Sequence, residues 1–318
     1  MKVFEIGYGA VGVLLVASVA LTGTYGLEKV DREIYDTAIE LEEQMQENGF
    51  AGFAPSDFKI RFFNGETDYV VADGEVTKEE AAFSTFVGTT SKIDGEYQVV
   101  LPTYDNFSDM FSLLDTAQSA SSGEMSFGEA TYSTNAHVAT LWHESFHAWQ
   151  MTNWEDEIKA TFTAAGLSES DNMTDVILNE VDSKDELVVL FSEEMELLMK
   201  AYETEDLEEK KQLVLEALAV AEERESQLSD KAAYSENYFE IVEGSARYVE
   251  AEVYRLLEGD EAWRDTYFGT FDYTNGAGKY YEMGMYKCLL LDELMPEWKD
   301  NFCVTDSLDD YLGSAVGV

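Results

Sequence analysis

Two histidines four residues apart with a glutamate between them, His143-Glu144-Ser145-Phe146-His147, are the residues of this chain best suited to chemistry. Nothing between His137 and Gln150 breaks a helix. On a helix the two imidazoles share one face, one turn apart. That spacing suits two of the ligands of a tetrahedral zinc ion. Glu144 projects beside them, where a carboxylate can take a proton from an activated water. Leu141, Trp142, Phe146 and Trp149 supply apolar surface, so the helix is expected to be buried on most sides. Buried histidines beside a buried glutamate call for a compensating partner, and a metal is one. The chain has only 3 histidines among 318 residues, and two of them sit here.

A catalytic zinc site wants a third protein ligand and an open fourth position. His137, six residues before His143, points about 120° away from it on a helix and reads as a capping or surface histidine. Cys288 and Cys303 are far away in sequence and lack C-x-x-C spacing. They are either a disulfide, if the chain is exported, or ordinary buried thiols. The remaining choice is a carboxylate. Glu243 has the best surroundings, because Gly244 and Ala246 leave little bulk beside it and would let a second helix approach. Glu240, Glu243, Arg247 and Glu250 also fall on one helical face, which can equally be a solvated acidic stripe. Glu180, in Leu178-Asn179-Glu180, is the runner-up, and Glu193, Glu194 and Glu240 stay open.

The elements that must position these residues follow from pattern. Leu27, Val30, Ile34, Ala38, Leu41 and Met45 recur at helical spacing up to Asn48-Gly49. Lys59–Phe63, Asp68–Val71 and Tyr97–Leu101 read as short strands, with Asn64-Gly65 and Asp73-Gly74 as turns. The stretch from Ser119 to Ser133 reads as a loop. Helical patterns then cover Met173 to about Lys200, Leu207–Leu228, Asn237–Leu257, Tyr280–Leu294 and Leu308–Leu312. The fold class expected is mainly α (α+β), with a small β-sheet ahead of the metal helix and a helical C-terminal part.

Charge and the N-terminus bound the setting. The chain carries 65 acidic against 20 basic residues, a net charge of −45, at 45% hydrophobic composition. Phosphate recognition needs a basic surface, so nucleic acid is excluded as a partner. A solvated, highly charged surface is the reading of the acids, which are spread along the chain. Residues 6–26 are nearly uncharged, with an apolar heart from Val11 to Leu21 of signal-peptide length. Residues 1–26 are therefore expected to be a signal peptide or an N-terminal membrane anchor, and 27–318 one catalytic domain. Lys2 ahead of the apolar segment predicts that the body crosses to the outside, giving an extracellular or cell-surface protein.

Two further segments carry a resemblance. Glu243-Gly244-Ser245-Ala246-Arg247-Tyr248-Val249-Glu250 resembles the N-E-G-F-A-x-Y-x-E segment of the gluzincin metallopeptidases related to aminopeptidase N. Tyr281-Glu282-Met283-Gly284 is similar to their Y-E-K-G segment, and the order after H-E-x-x-H is that of the family. The resemblance implies a zincin-like catalytic domain that holds Zn²⁺ through His143, His147 and Glu243. It implies Glu144 as general base and Tyr281 as hydrogen-bond donor to the oxyanion, with Tyr280 adjacent as the other choice. Glu250 or another carboxylate is expected to hold a ligand histidine. The chain departs from the family where residues 148–242 separate His147 from Glu243, where Val242 replaces the Asn and Met283 the Lys, and in lacking a G-x-M-E-N strand. The function expected is an exported zinc peptidase acting on a peptide or protein. The alternative is a metal-containing cell-surface binding protein without catalysis.

Overall fold

The computed structural model describes residues 27–46, 49–108 and 133–318. The apolar segment 6–26 and nearly all of the loop read at 119–133 lie outside them. The architecture is mainly helical, with one five-stranded sheet towards the N-terminus. No described helix is long and apolar enough to cross a membrane. The chain divides into two compact units. One runs up to Thr152 and takes in Val249–Phe268; the other comprises Asn153–Tyr248 and Gly269–Val318.

In the first unit, helix α1 (Lys29–Glu40) and the short α2 (Glu42–Gln46) precede the sheet. Strands β1 (Ile60–Phe63), β2 (Thr67–Ala72), β3 (Glu75–Glu80), β4 (Thr89–Ile93) and β5 (Glu96–Pro102) are ordered β3-β2-β1-β5-β4. β1 pairs parallel with β5, and the other pairings are antiparallel. Two connections are Asp-Gly turns, Asp73-Gly74 and Asp94-Gly95, with positive φ at all four residues. Such turns match the twist of a hairpin. The central strands are buried, whereas β3 exposes Glu75, Thr77, Lys78, Glu79 and Glu80, a charged edge that resists pairing with another chain. Arg61 of β1, itself buried, is held by Asp68, Glu79 and Gln98.

Helix α3 (Thr134–Ala164) carries the H-E-x-x-H motif and is kinked at Trp154. Ser133 caps its start, its hydroxyl accepting the Ala136 N–H at 3.1 Å. Within the first unit α3 is anchored on several sides. The Trp142 indole N–H donates to the Ala38 carbonyl of α1 at 3.1 Å, and Phe50 and Phe53 pack on Phe146 and Trp149. Burial on most sides follows, as the apolar ring around the motif predicts.

His137 is neither a capping nor a surface histidine. It is 1% exposed, its Nε2 lies 3.1 Å from the Pro102 carbonyl, and its ring meets Phe107 and Tyr104 edge-on. Its position on α3 turns it to the end of β5. Burial depresses its pKa from 6.5 to about 4, against a smaller opposite pull from the Pro102 carbonyl. Between those pH values the unfolded chain takes up a proton that the folded chain refuses, so this histidine makes stability rise with pH there. By denaturant titration, wild type should gain on His137→Gln by up to about 3 kcal/mol from pH 4 to pH 6.5. Equal slopes for the two proteins would refute the assignment.

The second unit is a set of packed helices. It contains α4 (Met173–Glu180), α5 (Asp185–Glu203), α6 (Leu207–Glu225), α7 (Asp230–Tyr238), α9 (Gly278–Leu294) and α10 (Leu308–Val316). α8 (Gly244–Tyr267) starts in this unit and continues into the first. The single helix expected over Met173 to Lys200 is in fact two. The break at Val181–Lys184 exists because the Asp182 carboxylate is drawn to Tyr273 Oη (2.5 Å), the Gly276 N–H (2.6 Å) and Lys279 Nζ (2.8 Å). The helix expected from Asn237 is likewise interrupted, because Phe239–Glu243 forms a π turn between α7 and α8.

Two features hold this unit together. Arg224 and Lys287 are fully buried and gather four carboxylates. Arg224 pairs with Glu194 (2.8 Å) and Glu236, and Lys287 with Glu194 (3.0 Å), Glu240 (2.6 Å) and Asp309 (2.7 Å). Carboxylates outnumber bases in this cluster. Burial accordingly raises the Glu240 pKa to about 7, although Lys287 pulls it the other way. The second feature is a backbone contact between α8 and α9, where a Cβ on Gly244 would meet the Gly284 Cα at 2.5 Å. Side-chain-free residues at both positions let these helices touch, which is the use read for Gly244 in the sequence.

Candidate metal centre

The motif turn of α3 brings the Nε2 atoms of His143 and His147 to 3.0 Å from each other, with the rings at 82°. The outer nitrogens explain why. His143 Nδ1 lies 3.0 Å from Glu250 Oε2, and His147 Nδ1 lies 2.8 Å from Gln150 Oε1. Both oxygens are acceptors, and with each ring in its Nδ1–H tautomer both Nε2 atoms present a lone pair. Two lone pairs then face each other in a site where both rings are about 95% covered (4% and 5% exposed). That arrangement is repulsive by itself and becomes favourable with a cation between the nitrogens.

Glu250 comes from α8, where Tyr267 Oη donates to its other oxygen at 3.1 Å. The carboxylate is therefore held at both ends and fixes the His143 tautomer. Losing such a partner typically weakens metal binding 10–100-fold. Glu250→Gln is expected to weaken zinc binding by about that factor in a chelator competition, with the fold intact. Unchanged affinity would show that Glu250 does not support the ligand.

Glu243 ends the π turn and is 1% exposed. One ligand atom from each of His143, His147 and Glu243 lies within 4.8 Å of the other two, and this buried group could hold a metal ion. Two nitrogens and one carboxylate oxygen form a donor set suited to a catalytic ion with one position left for water. The other carboxylates considered are placed elsewhere. Glu180 accepts from Ser229 at 2.5 Å, Glu193 is exposed, and Glu194 and Glu240 belong to the Arg224–Lys287 cluster. A solvated acidic stripe is ruled out for Glu240 and Glu243, since both are buried.

Glu144 is also buried. Thr90 of β4 donates to its main-chain carbonyl at 2.5 Å, and the same hydroxyl lies 3.3 Å from its carboxylate. Gly88 packs so tightly here that a Cβ would stand 2.9 Å from Glu144 Cγ. Tyr280 is unsuited to act on a substrate: it is fully buried and its hydroxyl donates to Glu236 at 2.5 Å. Tyr281, next along α9, is half-buried. Both cysteines are free thiols, with Cys288 buried.

Sequence reasoning missed three of these residues. Gln150 had a legible signal, three residues after His147 on the same helix face. Gly88 and Thr90 had none, because their importance comes from a contact made across more than fifty positions. Comparison with protein-family models, curated proteins and solved structures gives no match.

Proposed function

We propose that the chain is an exported zinc peptidase with a zincin-like catalytic domain. The observation that carries this is the facing pair of Nε2 atoms, each ring anchored through Nδ1, with the Glu144 carboxylate on the same helical turn. A site built only to hold a metal for stability closes all four positions with protein ligands and has no use for a buried carboxylate beside it. His143, His147 and Glu243 would hold the ion. When bound, zinc supplies a Lewis acid that polarises a carbonyl and brings a water's pKa towards ~7.

The chain's own residues supply the rest. Glu144 accepts the proton of the attacking water and passes it to the leaving amine nitrogen. Tyr281 donates a hydrogen bond to the oxyanion that develops on the scissile carbonyl, a role read from its place in Tyr281-Glu282-Met283-Gly284. β4 is the last strand of the sheet on that side, and its Thr90 touches Glu144. An extended peptide can add to such an edge by main-chain hydrogen bonds, which suits a peptide or protein substrate. The apolar segment 6–26 and the strongly acidic composition support export to the cell surface or beyond.

The test is mass spectrometry of a mixed peptide library incubated with purified protein, either zinc-loaded or stripped. Metal-dependent cuts establish the peptidase and reveal whether it trims ends or cuts internally. Intact peptides beside a confirmed bound zinc would replace this reading with that of a metal-containing binding protein.

A further inference from the structure

We infer that Thr90 is a positioning residue, which fixes the general base Glu144 against the edge strand β4; this rests on the peptidase reading above. Three observations carry it. The Thr90 hydroxyl has one hydrogen, and the short 2.5 Å contact assigns it to the Glu144 main-chain carbonyl. That carbonyl lies inside α3, where its other lone pair serves the helix, so the bond ties the strand to the very turn that bears the base. The same oxygen then stands 3.3 Å from Glu144 Oε2 and limits where the carboxylate can turn. Gly88, two residues before Thr90, is also packed here: a Cβ on it would stand 2.9 Å from Glu144 Cγ, so no larger residue fits without displacing Glu144, Leu101 or Thr140.

Among the described residues, strand β4 pairs with β5 alone. A peptide added to its open edge would take its place relative to β4, while the proton must be taken by a group on α3. Thr90 is the side chain that sets the distance between these two. The loss expected on removing it is in the chemical step and not in binding. A misplacement of about 1 Å in a reacting group costs up to about 10²-fold in rate.

Three full-length proteins decide the matter: wild type, Thr90→Val and Thr90→Ser. Each is loaded with zinc and assayed on one peptide that wild type cuts from the library; each is also crystallised. Thr90→Val, matched in size, should lose about 10²-fold in kcat with KM within about threefold and zinc content unchanged. Thr90→Ser, which keeps the hydroxyl, should recover most of kcat. In the crystals the Glu144 carboxylate should hold one conformation in wild type and Thr90→Ser and move in Thr90→Val. Equal losses in both variants, or a kcat for Thr90→Val within about threefold of wild type, would overturn the inference. If wild type cuts nothing, the peptidase reading fails and the crystals alone judge the clamp. A Glu144 side chain unmoved in Thr90→Val then overturns it, and a displaced one upholds it.

Discussion

Replacing Glu144 with Gln is expected to lower peptide cleavage by about 10²–10⁴-fold, the usual worth of a general acid–base group, and to leave bound zinc unchanged. The substitution keeps size and shape, so the Thr90 bond to the main-chain carbonyl and the close approach of Gly88 survive. What it removes is the ability to accept a proton. Zinc retention follows because the group that could hold a metal ion, His143, His147 and Glu243, does not include Glu144. Rate and metal content are both needed. Full activity would place the base elsewhere, and loss of metal would make Glu144 a ligand.

The second large effect concerns stability. Alanine at Gly284 would put a Cβ 2.1 Å from the Glu240 main-chain oxygen and 2.7 Å from the Gly244 Cα. Both are backbone atoms, so no rotamer change relieves the clash and α9 must move off α8. Overpacking usually costs 1–3 kcal/mol; here it should reach about 3 kcal/mol or more. Tm would fall by roughly 6–12 °C for a domain of this size. Zinc affinity should drop as well, since Glu243 directly precedes Gly244, one of the two touching glycines. A thermal scan decides: a Tm within 1–2 °C of wild type, roughly the effect of 0.5 kcal/mol, would mean that the two helices have room to spare.

Much of this was legible in the sequence, for reasons that differ by element. The metal helix showed itself through an uninterrupted run with apolar residues around two histidines. β1, β2 and β5 showed themselves because buried strands are rich in aromatic and β-branched residues. β3 and β4 did not, because edge strands such as Glu75–Glu80 and Thr89–Ile93 are polar and carry no apolar alternation. Asp94-Gly95 was the available sign, a hairpin turn just ahead of the Tyr97–Leu101 strand. The break after Glu180 was hidden for another reason: no glycine or proline marks it, and it is made by partners of Asp182 some ninety residues away. His137 was misjudged because helical angle alone tells that a side chain points away from a metal, not what it meets there. The glycines of the second unit were readable as a close approach, but their partner was not.

The π turn at Phe239–Glu243 makes the centre sensitive to something other than residue identity. In an unbroken α-helix, positions 236, 240 and 243 would line up on one side. Three carboxylates would then crowd towards Arg224 and Lys287. The wider turn offsets the phase: Glu236 and Glu240 stay with those bases, while the Glu243 carboxylate joins the histidine pair. Winding the same residues as plain α-helix would swing the two ends of the segment by about 100° relative to each other. Such a rewinding could leave every candidate ligand in the chain and still draw Glu243 away from the histidine pair. Along this helix the winding of the backbone, as much as the kind of each residue, decides whether the three ligand atoms meet.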